Sequence, residues 1–254
     1  MEAQLKITSR SVLDHLTASC GNLDPTQLAG ASITGKREGL FRDLLLAALA
    51  KSHDDHLARA EWRIPAAAMS RWKKTRFAGD RAQGIVDLVL VPKNDFLPEI
   101  PMLAIEFKLW YWFDALNTKK YVQTKKSNHH LISNSFLADV SKLQAVSPVA
   151  LGGRVIVTVV PTFHTDEIMP PSGRTTRQYL DEIGFPYSGL GGIMPNSTYK
   201  SIASMRQAAL RQIANYFDRQ DCPTLVGGNL RGVYKETPVT TDFVVSEVPP
   251  LGHW

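Results

Sequence analysis

Cysteine is scarce in this chain, whose 254 residues include only Cys20 and Cys222. Two cysteines so far apart form none of the short spacings that bind zinc or build a disulfide framework. We therefore expect both to be reduced thiols in a cytoplasmic protein. The sequence also lacks a run of about eighteen apolar residues, the minimum for a transmembrane helix, and its first residues lack the apolar segment of a signal peptide. No membrane association is expected.

Strong compositional bias is absent too. Hydrophobic residues make up 44% and charged residues 21% of the chain, as in an ordinary soluble globular protein. The length suits one large domain or two small ones, with an ample core. No internal repeat or low-complexity segment occurs, which excludes repeat architectures. The net charge of +5 is mildly basic, and it permits nucleic-acid binding without requiring it.

Two short apolar segments near the middle of the chain carry charges that a buried strand rarely has. The segments 84–91 and 103–110 are rich in Val, Ile and Leu and are bounded by turn residues, which predicts two strands joined by a loop. Asp87 interrupts the first segment, and Glu106 and Lys108 interrupt the second. Because side chains alternate along a strand, Glu106 and Lys108 should share one face while their apolar neighbours point into a core.

If these strands are neighbours, Asp87 meets Glu106 across the sheet. Two carboxylates on an apolar sheet repel each other and are costly to bury. A magnesium ion removes this conflict, because it binds through one or two carboxylates and keeps several waters. Lys108 would then add a positive charge where phosphate oxygens bind. The alternative is a structural ion pair of Lys108 with Glu106 or Asp87, which requires no ligand.

Asp87, followed nineteen positions later by Glu106-Phe107-Lys108, resembles the motif of the PD-(D/E)xK nuclease superfamily, the fold of many type II restriction endonucleases. Val86 stands where that motif often has proline. The resemblance implies an α/β fold, namely a restriction-endonuclease-like α/β/α sandwich with a central mixed sheet. It also implies a magnesium ion held by Asp87, Glu106 and the backbone carbonyl of Phe107. Lys108 would orient or deprotonate the attacking water.

The predicted elements around the motif follow the core order of this fold. They are a helix within residues 35–50, a first strand at 61–64, the two motif strands, a helix over 135–146 and a continuous apolar strand at 154–160. In the second helix, Asp139, Lys142 and Leu143 resemble an Asp-x-x-Lys-Leu pattern that recurs after the catalytic hairpin in family members. An ordinary amphipathic helix with an ion pair between Asp139 and Lys142 explains the same residues.

Glu38 precedes the apolar stripe of the first of these helices and lies on its core-facing side. A glutamate near a helix start is favoured by the helix dipole. The resemblance implies another role, since family members often supply a further metal ligand from the helix before the catalytic sheet. The sequence leaves both interpretations open.

Two basic segments flank the motif and are candidates for DNA contact. The first interleaves basic and aromatic residues, which suits contacts with phosphates and bases, and the second follows the catalytic strand. The candidate DNA-binding residues are Arg71, Lys73, Lys74, Arg76 and Arg81 in the first segment, and Lys119, Lys120, Lys125 and Lys126 in the second. A solvated basic loop is the alternative for the first segment.

The resemblance implies a magnesium-dependent, site-specific endonuclease that hydrolyses double-stranded DNA to 5′-phosphate and 3′-hydroxyl ends. A small enzyme that cuts both strands of a symmetric site would act as a homodimer. Two other functions stay open, namely a structure-specific repair or recombination nuclease of the same fold and a DNA-binding protein without catalysis.

A single nuclease domain is expected to span the chain. Its catalytic core would cover about residues 35–160, and residues 161–254 would hold specificity or dimer contacts. Elsewhere, the pattern predicts a short helix and a polar loop over 8–34, helices over 174–183 and 198–219, and short β-like runs over 224–248.

Overall fold

The computed structural model of this protein contains five helices and eight strands among the residues it describes. The residues it describes are 7–33, 38–53, 55–65, 69, 84–93, 101–110, 115–117, 120–121, 131–146, 153–163, 202–234 and 237–250. The helices among them are α1 (Ser9–Gly21), α2 (Pro25–Ile33), α3 (Glu38–Ser52), α4 (Leu131–Ala145) and α5 (Ile202–Asp218). The strands are β1 (His56–Arg63), β2 (Ile85–Pro92), β3 (Leu103–Leu109), β4 (Ala115–Asn117), β5 (Lys120–Tyr121), β6 (Gly153–Phe163), β7 (Thr224–Tyr234) and β8 (Thr237–Glu247).

Six of these strands form one mixed sheet in the spatial order β1-β2-β3-β6-β8-β7, and β4 pairs with β5 alone. Strands β1, β2 and β3 are antiparallel neighbours, whereas β3 and β6 run parallel. Parallel neighbours need a crossover connection, and α4 lies within the one that joins them. Strands β6, β8 and β7 complete the sheet as antiparallel neighbours, so two of its six strands come from beyond residue 160. The predicted α/β class with a mixed sheet is confirmed.

The sheet is covered on both faces. On one face, α1 and α3 pack side chains such as Leu16 and Phe41 against Phe107 and other strand residues. On the other face, Phe136 of α4 and Phe217 of α5 pack against the strands. A strand covered on both sides must be apolar at nearly every position. This explains why the continuous apolar run that predicted β6 is buried in the centre of the sheet.

The segment predicted as a polar loop after the first helix forms a second helix instead. Asp24 Oδ1 accepts hydrogen bonds from the backbone N–H groups of Thr26 and Gln27, at 2.8 and 3.3 Å, so Asp24 caps α2. Pro25 follows at the first helical position, where its missing N–H leaves no unpaired donor. The predicted loop was therefore wrong, since an aspartate followed by proline can also mark the start of a helix.

The end of the chain forms two strands of 11 residues each instead of the predicted short runs. The irregular pattern has a local cause, because β7 contains a bulge between Gly227 and Leu230. Gly228 adopts a φ of +96° there, a conformation that glycine accepts at low cost. At Gly227, a Cβ atom would lie 2.9 Å from a methyl carbon of Leu13, so the missing side chain lets α1 approach the sheet.

Two other expectations concern a further helix and a membrane-spanning segment. The helix predicted over 174–183 lies outside the described residues. Within the described parts of the chain, no helix is long and apolar enough to cross a membrane.

The two thiols are free and buried, and this gives an expected alkaline sensitivity. Burial raises the pKa of Cys20 to about 12 and is also the largest cause that raises the pKa of Cys222, to about 11. An unfolded thiol ionises near pH 8.5, so above that pH the unfolded chain releases protons that the folded chain keeps. The stability contributed by these groups is therefore present below about pH 8.5 and lost as pH rises towards the folded pKa values.

Urea unfolding at a series of alkaline pH values should show this loss as a falling free energy of unfolding. Cys20→Ala removes one titrating group, so its stability should fall less steeply with pH, whatever its absolute value. Equal slopes for the variant and the unsubstituted protein would contradict the assignment to Cys20.

Candidate active site

The ladder between β2 and β3 ends beside the predicted catalytic residues. The last pair in register is Leu88 with Ile105, and β3 continues beyond it. There, the backbone N–H of Phe107 donates a 2.7 Å hydrogen bond to Oδ2 of Asp87. The Asp87 carboxylate thus accepts the backbone N–H that would bond to a carbonyl oxygen of β2 if the two strands stayed paired. This contact places Asp87 against the backbone of the Glu-Phe-Lys segment, where the sequence predicted it.

Glu38 reaches the same stretch of β3 from the first turn of α3. Its Oε1 accepts a 2.7 Å hydrogen bond from the N–H of Leu109. Burial is the largest cause that raises the pKa of Glu38, and the nearby charges of Asp87 and Asp139 raise it further, while Leu109 and Lys108 oppose them. Glu38 therefore begins a helix and also lies within electrostatic reach of the predicted site residues. The position of Glu38 at a helix start is confirmed, and its role as a metal ligand stays a prediction.

Glu106 is buried, with 2% of its surface exposed, and its partner comes from α4. Lys142 Nζ lies 2.6 Å from Glu106 Oε1 and donates to the backbone oxygen of Ile85 at 3.1 Å. Burial raises the pKa of Glu106 well above its usual value, Lys142 opposes this rise, and the charges of Asp87 and Asp139 add to it. The ammonium group of Lys142 therefore favours the ionised form of Glu106, against the effect of burial.

Lys108 shares the face of Glu106, as predicted, but it is paired with a different residue. Its Nζ lies 2.9 Å from Asp139 Oδ2, and 30% of its side-chain surface is exposed. Burial alone would lower the pKa of Lys108, but the charges of Asp139, Glu38 and Glu106 outweigh it, and the pKa is raised. Lys108 is therefore a charged, partly accessible ammonium group. The alternative that paired it with Glu106 or Asp87 was wrong about its partner.

Two residues of α4 were not predicted as site residues, although the sequence pattern contained them. Asp139 contacts Lys108 and also lies 3.6 Å from Nζ of Lys142, the ion pair that the helical spacing predicted. The signal was the Asp-x-x-Lys spacing, which places both side chains on one helix face. It did not reveal that this face covers the charged side of β3.

Backbone distortion lies beside the site on β1. Glu61 has a φ of 53°, which is costly for a residue with a side chain, and the pairs of Ala60 with Leu88 and Trp62 with Val86 flank it. Its carboxylate accepts a 3.0 Å hydrogen bond from Arg42 Nη1, one helical turn after Glu38. Strained residues cluster at functional sites in many proteins. No sequence pattern marked this position.

One buried hydroxyl group, that of Thr158, lies beside Lys108. Thr158 pairs in register with Lys108, is fully buried, and its Oγ1 has no hydrogen-bond partner among the described residues. Most buried hydroxyl groups are paired with protein or ordered water. The face that carries Lys108 therefore retains hydrogen-bonding capacity for a small polar group.

Only one of the nine predicted DNA-binding residues lies among the residues that the structure describes. Lys120 begins the short strand β5. The other candidates lie outside the described residues: Arg71, Lys73, Lys74, Arg76, Arg81, Lys119, Lys125 and Lys126.

Neither a preformed metal-binding cluster nor similarity to known proteins identifies this site. Among the residues that the structure describes, no group of three or more His, Cys, Asp or Glu side chains is arranged to hold a metal ion. Comparison with protein-family models, curated proteins and solved structures gave no significant match.

Proposed function

We propose that this protein is a magnesium-dependent endonuclease that cleaves double-stranded DNA at specific sites, similar to type II restriction enzymes. The observation that carries the proposal is the convergence of Asp87, Glu106, Lys108 and Glu38 where β2 and β3 separate. The order α3-β1-β2-β3, followed after the short β4-β5 pair by α4 and β6, supports the restriction-endonuclease-like fold, as does the parallel pairing of β3 with β6. Products with 5′-phosphate and 3′-hydroxyl ends and action as a homodimer belong to the same proposal.

The formal charge of the site fits one divalent cation. The site contains the carboxylates of Glu38, Asp87, Glu106 and Asp139 and the ammonium groups of Lys108 and Lys142. Among the described residues, four negative charges against two positive charges leave an excess of two negative charges. Asp87 and Glu38 contribute this excess, because their hydrogen bonds described above come from neutral backbone N–H groups.

The donor chemistry also suits magnesium, which needs only one or two carboxylates and keeps several waters. Asp87 and Glu106 would hold the ion. The Phe107 carbonyl is a third oxygen, since the N–H and C=O of one strand residue point to the same side and this N–H points to Asp87. Bound magnesium would supply Lewis-acid stabilisation of the phosphoryl oxygen and a lower pKa for water.

Lys108 is the side chain best suited to act on the scissile phosphate. Its ammonium carries three donors, and Asp139 uses only part of this capacity. Because Lys108 is partly exposed while Lys142 is buried, a phosphate approaching from solvent meets Lys108 first. Lys108 would orient the attacking water and donate to the oxygens that gain charge in the transition state.

Digestion of a long mixed-sequence DNA with magnesium, followed by sequencing of the ends, tests this function. Discrete fragments that share an end sequence are expected. Cleavage governed by branches or damage would indicate a structure-specific nuclease. Binding that persists in chelator without any cleavage would indicate a non-catalytic DNA-binding protein.

Glu38→Gln separates a charge effect from a structural effect. The glutamine oxygen still accepts the N–H of Leu109, so the free energy of unfolding should change by about 1 kcal/mol or less. Loss of the charge should raise the magnesium concentration needed for half-maximal cleavage. Glu38→Ala is the comparison, because it leaves the Leu109 donor unpaired and should cost about 1–3 kcal/mol. An unchanged magnesium requirement in Glu38→Gln would restrict Glu38 to its hydrogen bond.

A further inference from the structure

The ammonium group of Lys142 lies among oxygen atoms from three elements. Its Nζ is 2.6 Å from Oε1 of Glu106 on β3, 3.1 Å from the carbonyl oxygen of Ile85 on β2 and 3.6 Å from Oδ1 of Asp139 on α4. The lysine and both acidic residues are buried. A buried position lined by oxygens suits a hard cation, and a side-chain cation fills it here.

This position distinguishes Lys142 from Lys108. Lys108 contacts Asp139 and is 30% exposed, whereas the Lys142 side chain is 10% exposed and contacts Glu106 directly. A buried carboxylate without a cation is strongly disfavoured. Lys142 is therefore the group that compensates Glu106 when no other cation is present.

We propose that Lys142 is an internal counter-ion, which stabilises Glu106 in the metal-free protein and competes with the divalent cation for that carboxylate. The inference rests on the proposed function, because it takes Asp87 and Glu106 as magnesium ligands. Two cations beside one carboxylate repel each other, so each lowers the affinity of the carboxylate for the other. Asp139 offers the ammonium a second partner when magnesium takes Glu106. Lys142 thus sets the metal affinity of the site.

Magnesium binding to the full chain, measured by calorimetry without DNA, tests the inference. The titration is made at mildly alkaline pH, where protons compete less for the carboxylate. Lys142→Met should bind magnesium about tenfold more tightly than the unsubstituted protein. In chelator its melting temperature should be lower, and saturating magnesium should raise it by more than in the unsubstituted protein. Lys51→Met removes the same charge from an exposed position on α3 and should change neither quantity.

A double variant, Glu106→Gln with Lys142→Met, keeps the test decisive if Lys142→Met unfolds in chelator. It removes both members of the pair, so it should melt above Lys142→Met in chelator and respond little to magnesium. If Lys142→Met is unfolded, recovery of its melting transition with magnesium supports the inference. Failure to recover, while the double variant folds, overturns it.

Magnesium binding by the variants distinguishes the counter-ion role of Lys142 from the proposed nuclease function. Magnesium binding that depends on Asp87 but is equal or weaker in Lys142→Met would overturn the counter-ion role alone. Such a result would make Lys142 a positioning residue that orients Glu106. No magnesium binding in the unsubstituted protein or in Lys142→Met would overturn both.

Discussion

Asp87→Asn should reduce magnesium-dependent cleavage by about a thousandfold or more, while the protein remains folded. Metal ligation contributes several kcal/mol to transition-state stabilisation, and each 1.36 kcal/mol is a factor of ten in rate. The asparagine oxygen still accepts the hydrogen bond from the Phe107 N–H, so the end of the ladder is preserved. The measurement is the single-turnover cleavage rate of a DNA containing the site, with the melting temperature of each protein beside it.

The choice of asparagine matters because the carboxylate of Asp87 also has a structural partner. Asp87→Ala would leave a partly buried backbone donor unpaired, at a cost of about 1–3 kcal/mol, and any lost activity would then have two causes. Asp14→Asn, on the exposed side of α1, is the matched control and should change neither rate nor stability. Cleavage at the normal rate by Asp87→Asn would exclude Asp87 as a metal ligand.

Lys108→Met should lower the cleavage rate by about 10²–10⁴-fold, the range for loss of a group that handles protons in the transition state. Its effect on stability should be small, about 1 kcal/mol or less, because the ion pair with Asp139 is partly exposed and Asp139 keeps Lys142 nearby. The rate and the urea-unfolding free energy are measured on the same preparations.

Lys142→Met is the contrasting variant for this second prediction. It breaks a buried pair with Glu106 and should cost about 3–5 kcal/mol in metal-free buffer. We therefore expect Lys108→Met to lower mainly the cleavage rate and Lys142→Met to lower mainly the stability. If Lys108→Met lost stability on that larger scale and kept its activity per folded molecule, its role would be a structural ion pair.

Local sequence patterns were sufficient to predict most of the helices and strands around the Asp87 and Glu106 motif. Periodicity of apolar residues predicted α3, and short Val- and Ile-rich runs predicted β2, β3 and β6. These features depend on neighbours within a few residues, so a local pattern carries them. The alternation of Glu106 and Lys108 with Phe107 follows from strand geometry alone and is found as predicted.

The partners of the charged side chains were decided only by the tertiary structure. Glu106 and Lys108 share a face of β3, and α4 covers that face. Lys108 therefore pairs with Asp139 of α4, and Glu106 pairs with Lys142 of α4. The crossover that brings α4 there connects two parallel strands, and no local pattern specifies where such a helix packs.

The point at which β2 stops pairing with β3 could not be predicted from the sequence either. A run of apolar residues predicts that a strand forms, but the length over which it pairs depends on its neighbours. Here the ladder ends after Leu88, and the carboxylates of Asp87 and Glu38 accept two N–H groups of β3. The sequence by itself determined which charged residues occupy the strands, because strand alternation is local. Which of them act as backbone acceptors, ion-pair partners or candidate metal ligands was decided by the packing of α3 and α4 on opposite faces of the sheet.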